Sequence, residues 1–333
     1  MATTIMNLDD SDHHNDDHLN DLDFKLTIRP MKFDEIESAV MIFSRANLND
    51  SLNVVQSYYQ SDPSGFFVAI DENEDKVIGS CASPMTTHGT RILGLYCVEK
   101  EYRNFGIGKK LFSKCLTTFS NDNFGLCAVP SKFKIYKDRA GFRQIEGRSI
   151  VIIEGKSPNI QSLRTAEKLD QKYRLIKLMA DNIDYHESLI EKIIEFDKTV
   201  QLDNRSTLLR YMFAKTTTIT LAVLDTSNND SKVVGYGCIQ LDPIGRSMPG
   251  PLYAIDPLIG EVLLAELIRS DGRFSSNDQL AYFTTDNSPE TIRWSKELLG
   301  LQESCRCEKL FTKFIPPFNY DYLYCCHSPD FGC

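Results

Sequence analysis

The sequence predicts an α/β protein made of two similar domains in tandem. One order of elements, β-α-α-β-β-β-α-β-α-β, covers residues 24–155 and recurs in the second half of the 333-residue chain. Short identities recur at a nearly constant offset, since GLYCV (94–98) corresponds to PLYAI (251–255) 157 residues later. A polar stretch near residues 156–172 has the composition of a linker.

Apolar periodicity justifies each element of the first half. Continuous or alternating apolar runs predict strands, and apolar positions three and four residues apart predict helices. The run 90–98 is almost wholly apolar, so we expect a central strand there. Ile107, Leu111 and Cys115 share one helical stripe. The predicted strands are 23–30, 66–70, 76–84, 90–98, 124–129 and 148–155, and the predicted helices are 33–47, 51–60, 106–119 and 131–142.

The second half shows the same patterns in the same order. Leu189, Ile193, Phe196 and Val200 form one apolar helical face. The predicted strands are 173–179, 218–224, 233–241, 250–255, 280–285, 307–315 and 318–326, and the predicted helices are 185–200, 204–214, 256–268 and 288–301.

The net charge of −9 is unevenly distributed along the chain. Residues 1–23 contain seven Asp and no Lys or Arg, which predicts a disordered acidic leader. The first domain, 24–155, carries +2, and residues 156–333, which include the second domain (173–333), carry −4. These nearly neutral domains do not favour a nucleic acid as partner.

The lack of a recognisable export signal or membrane-spanning run favours a location in the cytoplasm or nucleus. The chain does not begin with basic residues followed by an apolar segment, and it contains no run of about 18 apolar residues. We therefore expect neither secretion nor a membrane partner, and we expect the ten cysteines to be reduced.

The segment 94–112 carries the most informative motif, an apolar strand followed by a glycine-containing loop and a helix. The first N–H groups of a helix have no intrahelical acceptor and form an anion site. Gly106 and Gly108 allow a phosphate to approach the backbone, and Arg103 and Lys109 add positive charge. Position 111 is Leu, so the dinucleotide motif G-x-G-x-x-G is absent.

RNFGIG (103–108) matches the R-x-x-G-x-G acyl-CoA motif of the GNAT acyltransferase superfamily, and IYKDRAGF (135–142) resembles a later helix of that family. The resemblance covers about 24–155. It implies that each domain is a mixed β-sheet flanked by helices, splayed where the pantetheine of acetyl-CoA lies between two strands. It also implies backbone pairing of pantetheine with Cys97 and Val98. The expected pyrophosphate site comprises Arg103, Asn104, Phe105, Gly106, Ile107, Gly108 and Lys109.

The resemblance implies an acetyl-CoA-dependent N-acetyltransferase whose acceptor is a small-molecule or peptide amine, attacking directly. The backbone N–H of Val98 would stabilise the oxyanion, and Tyr136 would protonate the thiolate. Tyr136 lies five residues before Gly141, where the family usually has four, and one extra residue rotates a helical side chain by about 100°. A core-facing aromatic ring is therefore the alternative for Tyr136. The sequence does not identify a general base.

A non-catalytic acyl-CoA-binding or protein-interaction module is the alternative function. A covalent acyl intermediate on Cys97 is a further alternative, to be weighed against a buried strand cysteine. We predict no metal site. The C-terminal cysteines and histidine lack zinc spacing, because adjacent strand residues face opposite sides: Cys305, Cys307, Cys325, Cys326, His327 and Cys333.

The second half has lost the cofactor motif. At the same offset, Leu263 replaces Gly106 and Ala265 replaces Gly108. Asp256 is predicted to cap a helix that begins at once, and its charge would repel phosphates.

This half resembles the uncharacterised region that follows a GNAT domain in many nematode proteins. The residues that carry this resemblance are Asp197, Val200, Arg205 and Arg246, the last shortly before GPLYA (250–254). They would either shape a pocket or include a structural Asp197–Arg205 pair.

Overall fold

The computed structural model describes residues 24–46, 48, 50–178, 186–272, 279–328 and 330–332. The predicted acidic leader, 1–23, lies outside the described residues. Within the described parts, helices and strands follow one another in the order that the sequence predicts, except that the predicted strand 90–98 forms two strands.

The first half contains seven strands and four α-helices among the described residues. The strands are β1 (Leu26–Pro30), β2 (Phe66–Asp71), β3 (Lys76–Ala82), β4 (Thr90–Ile92), β5 (Gly94–Val98), β6 (Asn123–Ala128) and β7 (Gln144–Lys156). The helices are α1 (Ile36–Arg45), α2 (Leu52–Ser61), α3 (Ile107–Thr118) and α4 (Phe133–Asp138).

The second half also has seven strands and four α-helices in the described residues. The strands are β8 (Tyr173–Leu178), β9 (Ile219–Asp225), β10 (Lys232–Leu241), β11 (Ser247–Ala254), β12 (Gln279–Thr285), β13 (Gln302–Phe311) and β14 (Leu323–Cys325). The helices are α5 (Glu187–Gln201), α6 (Ser206–Phe213), α7 (Pro257–Ser270) and α8 (Pro289–Arg293), and α8 continues as a π-helix over Trp294–Leu298.

Two sheets organise these elements. Strands β1, β2, β3 and β5 form an antiparallel sheet in that order. The remaining strands form a second sheet in the order β4-β6-β13-β7-β12-β11-β10-β9-β8, with β14 paired to β11. This larger sheet therefore contains strands of both halves.

The halves exchange strands at the centre of the larger sheet. Strand β13 of the second half lies between β6 and β7 of the first, with antiparallel pairing on both sides. Strand β7 in turn pairs with β12 along seven residue pairs. The boundary at residues 156–172 thus divides the chain in sequence while the backbone hydrogen bonds cross it.

The predicted central strand, 90–98, is divided between the two sheets. Strand β4 pairs in parallel with β6, whereas β5 pairs with β3 of the other sheet. The separation occurs around Leu95, whose φ of 46° lies in the left-handed region. This gap between β5 and β6, called here the first splay, is the kind of opening that the resemblance implied.

Candidate functional site

The loop between β5 and α3 has the backbone of an anion-binding turn. Asn104 and Gly106 have φ values of 71° and 72°, and α3 begins at Ile107. A Cβ atom added at Gly106 would meet no atom within 4 Å, so the space beside this residue is open. The first N–H groups of α3 and the open space together fit a phosphate group.

The predicted pyrophosphate residues have different surroundings. Lys109 and Asn104 are exposed, whereas Ile107 is buried and Phe105 packs against the core beneath the sheet. The Nε of Arg103 donates to the carbonyl oxygen of Val98 at 2.9 Å, so this arginine also fastens the loop to β5.

Gly108 is needed for a packing reason that the motif alone does not reveal. An added Cβ at Gly108 would lie 2.9 Å from the hydroxyl oxygen of Tyr96. Tyr96 therefore packs directly against the first turn of α3. Burial raises the pKa of its hydroxyl well above the ordinary value, so the group stays protonated.

Strand geometry distinguishes the two residues predicted to pair with pantetheine. The N–H of Glu99 donates to the carbonyl of Ile78 in β3, and Cys97 lies in register with Ser80 of that strand. Because backbone groups of successive residues point to opposite sides, those of Val98 face away from β3 and into the first splay. The geometry favours Val98 over Cys97 for this pairing.

The Cys97 thiol lies inside the protein and has no activating base. Its side chain is 7% exposed, and burial raises its pKa to about 11. A thiol with such a pKa supplies little thiolate at neutral pH. This environment fits the buried strand cysteine rather than the acyl-cysteine alternative.

Tyr136 lies on α4 in an aromatic cluster. Its ring centroid is 6.0 Å from that of Phe112 and 6.2 Å from that of Phe142, and the side chain is 5% exposed. Burial raises the pKa of the hydroxyl far above its ordinary value. The ring thus packs in the core, as the shifted spacing allowed, and its hydroxyl is a protonated group.

A C-terminal segment, residues 327, 328 and 330–332, reaches the first splay from the second half. The N–H of Leu95 donates to Oδ2 of Asp330 at 2.8 Å, at the point where β4 and β5 separate. Phe331 is buried in the first-half core against Tyr58 and Phe66. The sequence gives no signal for this segment, because it follows β5 by more than 200 residues and matches no motif.

A second carboxylate accompanies Asp330. Asp50, in the connection between α1 and α2, accepts a hydrogen bond from the Ser328 hydroxyl at 2.7 Å. Burial raises the pKa of Asp330 to about 7, and burial together with the charge of Asp330 raises the pKa of Asp50. Near neutral pH, these carboxyl groups therefore retain protons that exposed carboxylates lose.

A cavity of about 220 Å³ borders the same segment. Phe331 and Gly332 form part of its wall, together with Leu126 and Cys127 from β6. Other lining residues come from both halves: Tyr58, Met85, Thr87, Gln201, Arg205, Lys309 and Tyr320. The cavity is thus an interface feature with a mixed polar and aromatic lining.

The Asp197–Arg205 pair exists and is buried. Arg205 donates from Nε and Nη2 to the two carboxylate oxygens at 2.8 and 2.7 Å. Its Nη1 lies 3.4 Å from Nδ1 of His327 at the start of the C-terminal segment. Arg205 also lines the cavity, so the pair is both a structural contact and part of a pocket wall.

The other residues of that resemblance have structural surroundings. Val200 is fully buried in the second-half core. Arg246 forms ion pairs with Asp242 at 2.6 Å and with Glu154 of β7 at 2.9 Å.

The second half has a corresponding gap between β11 and β12, called here the second splay. These strands share a single residue pair, Ser247 with Leu280. Strand β14 fills the gap by pairing with β11, and the N–H of Cys326 donates to Phe283 of β12 at 2.6 Å. The chain itself therefore occupies this position.

The start of α7 is also covered, at the place where a phosphate site would lie. The Asp256 side chain accepts from the N–H of Ile259, as the sequence predicts. Glu261 is buried and accepts three hydrogen bonds from Arg164 in the linker. The ring of Tyr324 lies 2.9 Å from where a Cβ of Gly260 would be.

The C-terminal cysteines do not converge on one point. The sulfur atoms of Cys305 and Cys307 are 4.0 Å apart, and Cys333 lies outside the described residues. In the part of the chain that the structure describes, no three His, Cys, Asp or Glu residues form a group that could hold a metal ion.

Comparison with known proteins supports the fold. Residues 33–129 match the acetyltransferase (GNAT) family model, which confirms a GNAT domain in the first half. No curated protein sequence matches the chain significantly. No helix in the described ranges is both long and apolar enough to cross a membrane.

Solved structures extend the likeness to the whole chain. A proposed acetyltransferase from Pyrococcus horikoshii superposes with a TM-score of 0.64 at 20% identity, covering 96% of this chain and 100% of that one. A tandem GNAT protein from the clavulanic acid biosynthesis pathway gives 0.57 at 11% identity, covering 86% and 98%. A GCN5-related N-acetyltransferase from Sphaerobacter thermophilus gives 0.53 at 9% identity, covering 89% and 98%. The predicted fold of two tandem GNAT-like domains is confirmed.

Proposed function

We propose that the first half is an N-acetyltransferase that transfers the acetyl group of acetyl-CoA to an amine. The observation that carries the proposal is the first splay, which lies directly beside the left-handed loop at Gly106 and the start of α3. A strand whose backbone groups at Val98 face the gap, next to an anion site, suits a ligand with an extended amide arm and a pyrophosphate.

The residues present fit such a cosubstrate. The open space at Gly106 and the exposed Lys109 would receive the pyrophosphate, with Arg103, Asn104 and the N–H groups at 105–109 around it. The inward-facing backbone of Val98 would pair with the pantetheine amide. These assignments rest on the geometry of the loop and strand.

Direct transfer requires a neutral amine, since a primary amine has a pKa near 10 and is mostly protonated at neutral pH. The amine nitrogen would attack the thioester carbon, and a backbone N–H at β5, with Val98 as our assignment, would stabilise the oxyanion. The protonated hydroxyl of Tyr136 would then donate a proton to the departing thiolate.

We propose that the acceptor binds in the cavity between the halves. Its volume of about 220 Å³ suits a small amine or one side chain of a peptide. The aromatic and polar lining, which includes the cations Arg205 and Lys309, would favour the uncharged amine that reacts over its protonated form. A cytoplasmic or nuclear location completes this proposal.

A non-catalytic acyl-CoA-binding or protein-interaction module is the second candidate. The burial of Tyr136 favours it, because a hydroxyl group whose pKa is raised gives up its proton less readily. The two candidates differ in turnover.

Isothermal titration calorimetry with acetyl-CoA, followed by a thiol-release assay against a panel of primary amines, tests the proposal. We expect one binding event per chain and release of CoA thiol with at least one amine. Binding without release on any amine would favour the module. Absence of acetyl-CoA binding would contradict both the transferase and the acyl-CoA-binding module, and would leave only the protein-interaction module.

A further inference from the structure

We propose that Asp330, supplied by the second half, is the general base of the acetyl transfer in the first half. This inference rests on the proposed function and identifies a catalytic residue that the loop and strand motifs do not contain. It stands on the position of one carboxylate at the junction of β4, β5 and β6.

The carboxylate is held at the closed end of the first splay. Its Oδ2 accepts the N–H of Leu95 at 2.8 Å, and Leu95 precedes Tyr96, whose backbone groups, like those of Val98, face away from β3. The absence of a side chain at Gly94 makes this approach possible, because an added Cβ there would lie 2.7 Å from Cβ of Asp330. The chain thus leaves room for Asp330 against β5.

The segment that carries Asp330 is anchored on both sides. Ser328 and Gly332 exchange two backbone hydrogen bonds, and the Ser328 hydroxyl accepts the N–H groups of Asp330 and Phe331. Phe331 is 2% exposed and belongs to the first-half core. Anchoring of this kind fixes the carboxylate at one position, as general base catalysis requires.

The surroundings give this carboxylate a basicity suited to neutral pH. Burial raises its pKa to about 7, close to the optimum for a general base in this range. In the described residues, no Lys or Arg forms an ion pair with it. Its negative charge raises the pKa of four groups, which lie in the α1–α2 connection, β3, α4 and β13: Asp50, Cys81, Tyr136 and Cys307.

The proton balance is simple. As the amine nitrogen forms its bond to the acetyl carbon, one N–H proton passes to the carboxylate of Asp330. The C–S bond then breaks, and CoA leaves as the thiol after it takes a proton. With water in place of the amine, the same steps give acetate and CoA thiol, so acetyl-CoA alone can serve as the probe.

The direct test is Asp330→Asn, which keeps the shape and a hydrogen-bond acceptor for Leu95 but removes the base. We expect calorimetry to give an acetyl-CoA Kd within about threefold of the wild type. Wild-type thiol release from acetyl-CoA in water should rise with pH through about 7 and then level off, because the carboxylate must be ionised to accept a proton. In the variant, this inflection should be absent and the plateau rate should be about 10²-fold lower.

Asp321→Asn is the matched control. It makes the same change of charge at an exposed residue just before the segment, and it should leave binding, rate and pH profile unchanged. An equal rate and an unchanged inflection in Asp330→Asn would overturn the proposal. So would a wild-type protein that binds acetyl-CoA but releases no thiol above the buffer rate at any pH.

Two further variants keep the proposal testable if Asp330→Asn does not fold. Gly94→Ala retains the carboxylate but displaces it from β5, so the plateau rate should fall while the inflection remains. Asp50→Asn replaces a buried carboxyl group whose raised pKa already keeps it protonated, so the inflection should stay in place. A wild-type plateau rate in Gly94→Ala would contradict the proposal. Failure of wild-type acetyl-CoA binding would instead refute the proposed function beneath it.

Discussion

The two splays lie at corresponding positions in the two halves, but the first is an open gap and the second is filled by the chain itself. In the first, β5 separates from β6 and its outer backbone edge faces the gap. In the second, β14 pairs with β11 and Tyr324 lies over the start of α7. The comparison teaches that a duplicated cofactor fold can be retained as scaffold when the chain itself supplies the atoms that a ligand would otherwise provide.

The charges at the first turns of α3 and α7 differ in a way that matches the difference between the two splays. The α3 start has an open glycine and exposed lysines, whereas the α7 start has the Asp256 cap and the buried Glu261. A helix start stabilises one negative group well. In the first half that group would come from the ligand, and in the second half it is a side chain.

Removing the Tyr324 side chain, which lies over the start of α7, should have the largest effect on the free energy of unfolding. Tyr324 is 5% exposed and stacks on Trp294 with ring centroids 5.3 Å apart, so Tyr324→Ala should cost about 3–5 kcal/mol of unfolding free energy. Tyr324→Phe, which keeps the stack, should stay near wild type. Urea unfolding measures both. A second acetyl-CoA site in Tyr324→Ala would contradict this difference between the halves, because Asp256 and Glu261 should still repel the phosphates of acetyl-CoA at α7.

A charge placed at the open helix start should have the next largest effect. Gly106 has a positive φ that Asp and Asn tolerate better than most residues. Gly106→Asp should weaken acetyl-CoA binding about 100-fold, or about 2.7 kcal/mol, through repulsion of the pyrophosphate. Gly106→Asn, of the same shape but neutral, should bind much more tightly than Gly106→Asp. Equal affinities in calorimetry would show that no phosphate lies there.

The linker contact at α7 should have the smallest effect. Arg164→Ala leaves Glu261 buried with one fewer partner, and because the arginine side chain is 43% exposed the cost should be about 1–2 kcal/mol. Adding Glu261→Gln should recover part of this loss. A double-mutant cycle in urea measures the coupling, and a coupling of zero would mean that the pair does not help to fill the second cofactor position.

The sequence predicts local features of this molecule well and distant contacts poorly. The strand–loop–helix motif at 94–112 and the Asp256 cap depend on neighbouring residues, so pattern and spacing suffice. The division of the predicted strand 90–98 does not follow from its pattern, because Leu95 adopts a left-handed φ within an apolar run. Predicted strand 318–326 shortens to β14, where a 3-10 turn at Tyr320–Tyr322 precedes it.

The missed parts of the candidate site share one cause. Asp330 and Asp50 come together only through the fold, and their short polar sequences resemble ordinary loops. The exchange of β13 and β7 is equally invisible, because a buried strand has the same pattern whichever half receives it. At Tyr136 the spacing left both a catalytic hydroxyl and a core-facing ring open, and the structure shows the ring packed against Phe112 and Phe142.

The position of β13 has a consequence for synthesis of the chain on the ribosome. Residues 302–311 emerge about 150 residues after β7 ends, and until then β6 and β7 lack the strand that separates them. At about 5–20 residues per second, the edges of β6 and β7 that pair with β13 would stay unpaired for roughly 8 to 30 seconds. Unpaired strand edges can pair with other chains and aggregate, so we expect chaperone binding to matter most for the nascent protein during this interval.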